Sequence, residues 1–107
     1  MVDLSKIIGF EWDEGNARKN EHHGVSLAEA EQVLFNTPLL VLPDATHSET
    51  EPRFHALGKT IEGRRLHITF TLRDADQLIR VISARDMHRK ERVIYEQATQ
   101  DHSQVCQ

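Results

Sequence analysis

The sequence predicts a single α+β domain, an antiparallel sheet backed by helices on one face. Three observations carry this. One stretch repeats apolar residues at helical spacing behind its own cap. A run of apolar and alternating segments then follows in hairpin succession, and a last helical pattern closes the chain. At 107 residues the chain suits one domain, because half of it would not hold an adequate core. The core is expected over about residues 10–96, with flexible flanks on either side.

"GFEW" (Gly9 to Trp12) reads as a short edge strand, and Asp13 as the N-cap of a short polar helix from Glu14 to His23. Gly24 stands where a helix end wants a residue tolerant of positive φ. In "VSLAEAEQVLF", Ser26 and Glu29 have the spacing of a capping box, and Val25 and Ala30 that of a hydrophobic staple. Leu27, Ala30, Val33 and Leu34 form one apolar stripe, and Asn36, Thr37 and Pro38 end the helix. "LLVLP" is a continuous apolar run, most simply a strand buried on both faces. "RFHALGKT" and "RRLHITFTLR" follow as strands about the turn "IEGR". In the second, Leu66, Ile68, Phe70 and Leu72 alternate with His67, Thr69, Thr71 and Arg73, as in a strand covered on one side with its polar side open. The turn "DADQ" leads to the strand "LIRVISAR", and "DMHRKERVIYEQA" reads as a helix capped by Asp86.

Composition narrows the function. No apolar run approaches the roughly 20 residues of a membrane span, and the start of the chain has no secretory pattern. Cys106 stands alone, so neither a disulfide framework nor a CxxC site is expected, and a reducing, cytoplasmic setting is the default. The net charge is −4, but the stretch from Arg53 to Tyr95 holds ten Lys/Arg against five Asp/Glu. Such asymmetry reads either as a basic working face or as segregated surface charge.

Seven histidines raise the question of a metal, yet none has ligand spacing; no metal and no other cofactor is expected. There is no GxSxG elbow and no phosphate-cradling glycine loop. Arginine remains: Arg53, Arg73, Arg80 and Arg85 on strands, and Arg92 on the last helix. A guanidinium meets phosphate oxygens with two parallel hydrogen bonds and keeps its charge at neutral pH. The same residues also read as partners for the chain's many glutamates.

Several motifs fall in a recognisable order. They are Phe10 to Asp13; His23 to Val25; His47, Ser48, Glu49, Glu51 and Arg53; Ile82 to Arg85; and Glu91, Arg92 and Tyr95. Together they resemble the BrnT family of type II toxin–antitoxin ribonuclease toxins, over about residues 10–96. The resemblance implies a RelE-like fold, with two N-terminal helices and a C-terminal helix packed on an antiparallel sheet. It implies a metal-independent endoribonuclease that arrests growth by lowering translation. A BrnA-type antitoxin, a ribbon-helix-helix DNA-binding protein, would neutralise it, and the pair would repress its own operon. Operator DNA would be met only through the antitoxin.

On that reading Arg53, Arg73 and Arg85 hold the scissile phosphate, and His47 or Glu49 transfers protons. His23, Arg80, Arg92 and Tyr95 bind the RNA strand. His47, Glu49 and Glu51 read equally as an ion-pair network that fixes Arg53. One departure stands out: the family pattern has a lysine before the H-G-V histidine and a helix about one residue longer, where this chain has His22. A catalytically weakened binding subunit of a repressor complex is therefore the alternative.

Overall fold

The computed structural model describes residues 4–12, 24–44 and 52–105. A 3-10 turn at Leu4–Lys6 precedes β1 (Gly9–Glu11), α1 (Leu27–Phe35), β2 (Leu40–Pro43), β3 (Arg53–Lys59), β4 (Arg65–Arg73), β5 (Leu78–Asp86) and α2 (Arg89–Val105). The five strands form one sheet in the order β1-β5-β4-β3-β2. The helix expected from Glu14 to His23 lies outside the described residues, as do His23, His47 and Glu49.

The capping box forms as the spacing predicts. The Glu29 backbone N–H donates to Ser26 Oγ, and the Ser26 backbone N–H donates to a Glu29 carboxylate oxygen. Two of the orphan donors at the start of α1 are thereby satisfied. Val25 and Ala30 are both buried. α1 lays Ala30, Val33 and Leu34 on Ala56, Leu66, Ile68, Phe70, Ile79, Val81 and Ala84 of the sheet, and this is the main core. Asn36 caps the helix, and its side-chain amide donates to the carbonyls of Lys59 and Thr60, which ties α1 to the β3–β4 turn.

Several expectations need correction. The sheet is mixed rather than antiparallel: β2 to β5 pair antiparallel in succession, but β1 runs parallel to β5. β1 and β2 occupy opposite edges, with α1 between them in sequence, so β1 is free to take the direction of β5. The run "LLVLP" is an edge strand, not one buried on both faces, and Leu42 and Pro43 are exposed. Asp86 does not cap the last helix. It ends β5 in a two-pronged ion pair with Arg64, while Glu91 reaches back to the His88 backbone N–H at 2.8 Å. Finally, the polar side of β4 is not open along its length, because His67, Thr69 and Thr71 are all buried.

α2 accounts for part of that burial. It crosses the end of the sheet opposite the Asp74–Gln77 turn, on the face away from α1. There Tyr95 packs with Leu57, Met87 and Leu40, and its hydroxyl donates to the Pro38 carbonyl at 2.7 Å. The helices therefore lie on opposite faces of the sheet, not on one as the sequence suggested: α1 covers the apolar side, and α2 meets one end of the polar side.

Candidate functional site

Strand alternation and register decide which side chains meet on the polar side. Across the sheet, Arg53 stands opposite Thr71, and Thr71 opposite Arg80. Next come His55, Thr69 and Ser83, then Leu57, His67 and Arg85. Between Thr69 and Phe70 of β4 the facing strand β5 carries one extra residue, Ile82, which is left unpaired and returns Arg80 to the same side as Ser83 and Arg85. Two interstrand steps put the Arg53 and Arg80 backbones about 10 Å apart. Arg73 lies two residues beyond Thr71 on the same side.

Three of the expected arginines, Arg53, Arg73 and Arg80, thus cluster at the end that α2 leaves uncovered. Arg80 lies 3.9 Å from a Glu11 carboxylate oxygen on the neighbouring edge strand. Arg85 is further along, where the helix begins. Its guanidinium donates to both Glu91 carboxylate oxygens, at 2.8 and 3.0 Å, so it is held by the protein's own anion. Arg92 and Tyr95 belong to the far end. Arg92 donates to the Met87 carbonyl at 3.3 Å and lines a groove of about 470 Å³ with Gly63, Arg65, Asp86 and Met87. Tyr95 is 3% exposed and packs under the helix. The structure therefore brings Arg53, Arg73 and Arg80 together, sets Arg85 beside them in an ion pair, and separates Arg92 and Tyr95 from the group.

Two histidines lie between the arginine cluster and α2, in very different surroundings. His67 is 8% exposed, and its Nδ1 is buried with no hydrogen-bond partner. Burial first, and the Arg85 charge second, push its pKa down from 6.5 to about 4 despite Glu91 nearby, so its ring is neutral at pH 7. Burial works against the Glu91 charge as well. The hydrogen bonds from Arg85 and from the His88 backbone prevail and hold its pKa at about 2.

His55 is different. Its side chain is one-third exposed, Nε2 lies 2.9 Å from Asp44 Oδ2, and Nδ1 lies 3.1 Å from Thr69 Oγ1. An ionised carboxylate only accepts, so Nε2 carries the proton and points it at Asp44. In the neutral ring Nδ1 is then the acceptor, and the Thr69 hydroxyl donates to it. Asp44 is 8% exposed at the end of β2, and its backbone N–H donates to the Arg53 carbonyl at 2.8 Å. Sequence reading placed His67 and Thr69 on the polar side but left His55 and Asp44 out of the site. The available signal was that Arg53 and His55, two apart on one strand, must share a side.

Among the described residues no cluster of three or more His, Cys, Asp or Glu side chains is placed to hold a metal ion. Among them, too, no helix is long and apolar enough to cross a membrane.

Comparisons with known proteins follow the fold. The family model described as the ribonuclease toxin BrnT of type II toxin–antitoxin systems matches residues 12–91. Among solved structures, the chain is similar to the crystal structure of the Brucella abortus ribonuclease toxin BrnT, with a TM-score of 0.56 and 23% sequence identity. The likeness covers 76% of this chain and 97% of that one, and at this identity it bears on the fold. No curated protein matches.

Proposed function

Because the chain belongs to the BrnT family of ribonuclease toxins of type II toxin–antitoxin systems, we propose that it is a metal-independent endoribonuclease acting on the uncovered end of its polar sheet face. The observation that carries this reading is the convergence there of Arg53, Arg73 and Arg80 with a carboxylate-bound histidine, His55. Arg53 and Arg80 flank Thr71 from the two neighbouring strands, and their long side chains reach toward a phosphodiester laid over it. Arg73 adds a third cation beside them. Fixed guanidinium groups stabilise the charge that builds on phosphorus as the 2′-oxygen attacks. Arg85 joins them at the scissile phosphate when substrate draws it from Glu91.

Cleavage without a metal needs two proton transfers, one from the 2′-hydroxyl and one to the leaving 5′-oxygen. His47 or Glu49, in the segment joining Asp44 to Pro52, supplies one of them. His23 and Arg92 extend the strand contacts, and Tyr95 supports the helix that carries Arg92.

In the cell this activity lowers translation and arrests growth in the cytoplasm. A BrnA-type antitoxin of ribbon-helix-helix class neutralises it by covering the arginine face, and the pair represses its own operon. A second reading has one observation in its favour. Arg85 is already saturated by Glu91, as it would be in a binding subunit of a repressor complex that no longer cleaves.

The test is cleavage of RNA by the purified chain in excess EDTA, beside Arg53→Ala and Arg85→Ala. Cleavage by the parent, much reduced in both variants and leaving 2′,3′-cyclic phosphate ends, is the expected result. A folded parent that cleaves nothing, or equal cleavage by all three, favours the binding subunit.

A further inference from the structure

His55, Asp44 and Thr69 form a hydrogen-bonded chain whose order is carboxylate, imidazole, hydroxyl. Asp44 is 8% exposed and held by its backbone bond to Arg53; as a carboxylate it only accepts, which assigns the ring proton to Nε2. Nδ1 is left as a base, and the hydroxyl that donates to it belongs to the central strand between Arg53 and Arg85 in the sheet order. An imidazole oriented in this way gains a proton at one nitrogen while its other nitrogen stays on a carboxylate, which stabilises the cation that forms. We propose that His55 is the general base of the cleavage reaction, with Asp44 as its positioning residue and Thr69 Oγ1 as the relay between substrate and Nδ1. The assignment rests on the ribonuclease reading above and names the base within it.

The 2′-O–H bond breaks and its proton goes to Thr69 Oγ1, while the Thr69 hydroxyl proton passes to His55 Nδ1. The 2′-oxygen forms a bond to phosphorus, the P–O5′ bond breaks, and the 5′-oxygen takes its proton from the acid that makes the second transfer. The imidazolium then gives its proton to solvent and the acid regains one from it, which restores both groups. The products are a 2′,3′-cyclic phosphate and a 5′-hydroxyl. His67, whose ring centroid is 4.9 Å from that of His55, is unsuited to the role, since it is more deeply buried and stands against Arg85. Among the described residues, the charged and titratable groups that face His55 are Asp44 at the end of β2, His67 on β4, and Arg53 two residues away on its own strand. The Arg85–Glu91 pair lies beyond His67.

The experiment compares the parent with His55→Ala, Thr69→Val, Thr69→Ser and Asp44→Asn. It reads cleavage of an RNA oligonucleotide in EDTA across pH, and binding of the same sequence made with 2′-O-methyl groups. His55→Ala is expected to lower kcat about a hundredfold or more with its binding constant unchanged. Thr69→Val should fall similarly, and Thr69→Ser should recover most of the rate. In Asp44→Asn kcat should fall with the binding constant unchanged, because the ring is no longer held with Nδ1 toward Thr69. A loss in kcat alone, in a variant with the parent's unfolding midpoint, is not produced by a residue that merely holds the fold. Cleavage by His55→Ala within threefold of the parent, or an unchanged kcat in Asp44→Asn, overturns the assignment and leaves the ribonuclease reading standing. A folded parent that cleaves nothing overturns both.

Discussion

Glu91 is the group on which the polar face and the last helix both depend, and Glu91→Gln is the sharpest test of that. One carboxylate oxygen accepts from Arg85 Nη1 and from the His88 backbone N–H, each at 2.8 Å; the other accepts from Arg85 Nη2 at 3.0 Å. A glutamine keeps the first oxygen as a carbonyl and turns the second into an N–H₂, which then faces the Arg85 N–H₂ donor to donor. One charge-assisted hydrogen bond is lost, of a kind that contributes about 1.5–3 kcal/mol. The Glu91 side chain is 21% exposed, so water reaches part of the vacated guanidinium, and the lower half of that range, about 1.5–2 kcal/mol, is the expected cost. Urea unfolding of parent and variant measures it as a fall in the midpoint with the slope unchanged.

The pH dependence of the difference is a second readout. Glu91 is held at about 2, below its ordinary 4.5, so the stability it contributes is fully present above pH 4.5 and is lost as pH falls through about 2. The gap between parent and variant should therefore be constant above pH 4.5 and close below it. Equal midpoints at neutral pH, or a gap that persists unchanged in acid, would refute the reasoning.

Three further substitutions probe the frame that positions the face. A methyl group added at Gly58 would lie 2.9 Å from Val33 Cγ1 and 3.0 Å from Leu39 Cδ1, and Val33 is stiff on its helix. Gly58→Ala should then destabilise by about 1–3 kcal/mol less the roughly 0.4–1 kcal/mol gained by stiffening the unfolded chain, and the loss should shrink in a Val33→Ala background. Ser26→Ala removes the hydroxyl half of the capping box and should cost about 1 kcal/mol in urea unfolding, with Ser26→Thr nearly neutral. Arg64 bridges Asp86, Glu29 and the Gly24 carbonyl; Arg64→Lys should lower the unfolding midpoint almost as far as Arg64→Met, because an ammonium cannot span three acceptors as a planar fork does.

What could be read from the sequence was what is local in it. The Ser26–Glu29 spacing fixed the start of α1, and the period-2 alternation of Leu66 to Arg73 fixed β4, because both depend on a few consecutive residues. Partners distant in sequence were harder to see. Three residues from Gly9 to Glu11 say nothing about which strand they pair with or in which direction. Asp86 has the right chemistry for a helix cap, but Arg64, 22 residues earlier, claims its carboxylate. The polar side of β4 was read as open because its alternation is the same whether or not α2 crosses above His67. The site shows the same division. Arginine chemistry pointed to Arg53, Arg73 and Arg80, whereas the His55–Asp44 pair depends on the β2–β3 register, in which Leu42 stands opposite His55.

The central claim is that RNA is held on the uncovered end of the polar sheet face. Amide and side-chain NMR shifts on titration with a 2′-O-methyl RNA strand, which binds without being cut, test it most directly. The account predicts that the largest changes fall on Arg53, His55, Thr69, Arg73 and Arg80, with little change along α1. Changes concentrated on α1, or none at concentrations where the parent cleaves the unmodified strand, would contradict it.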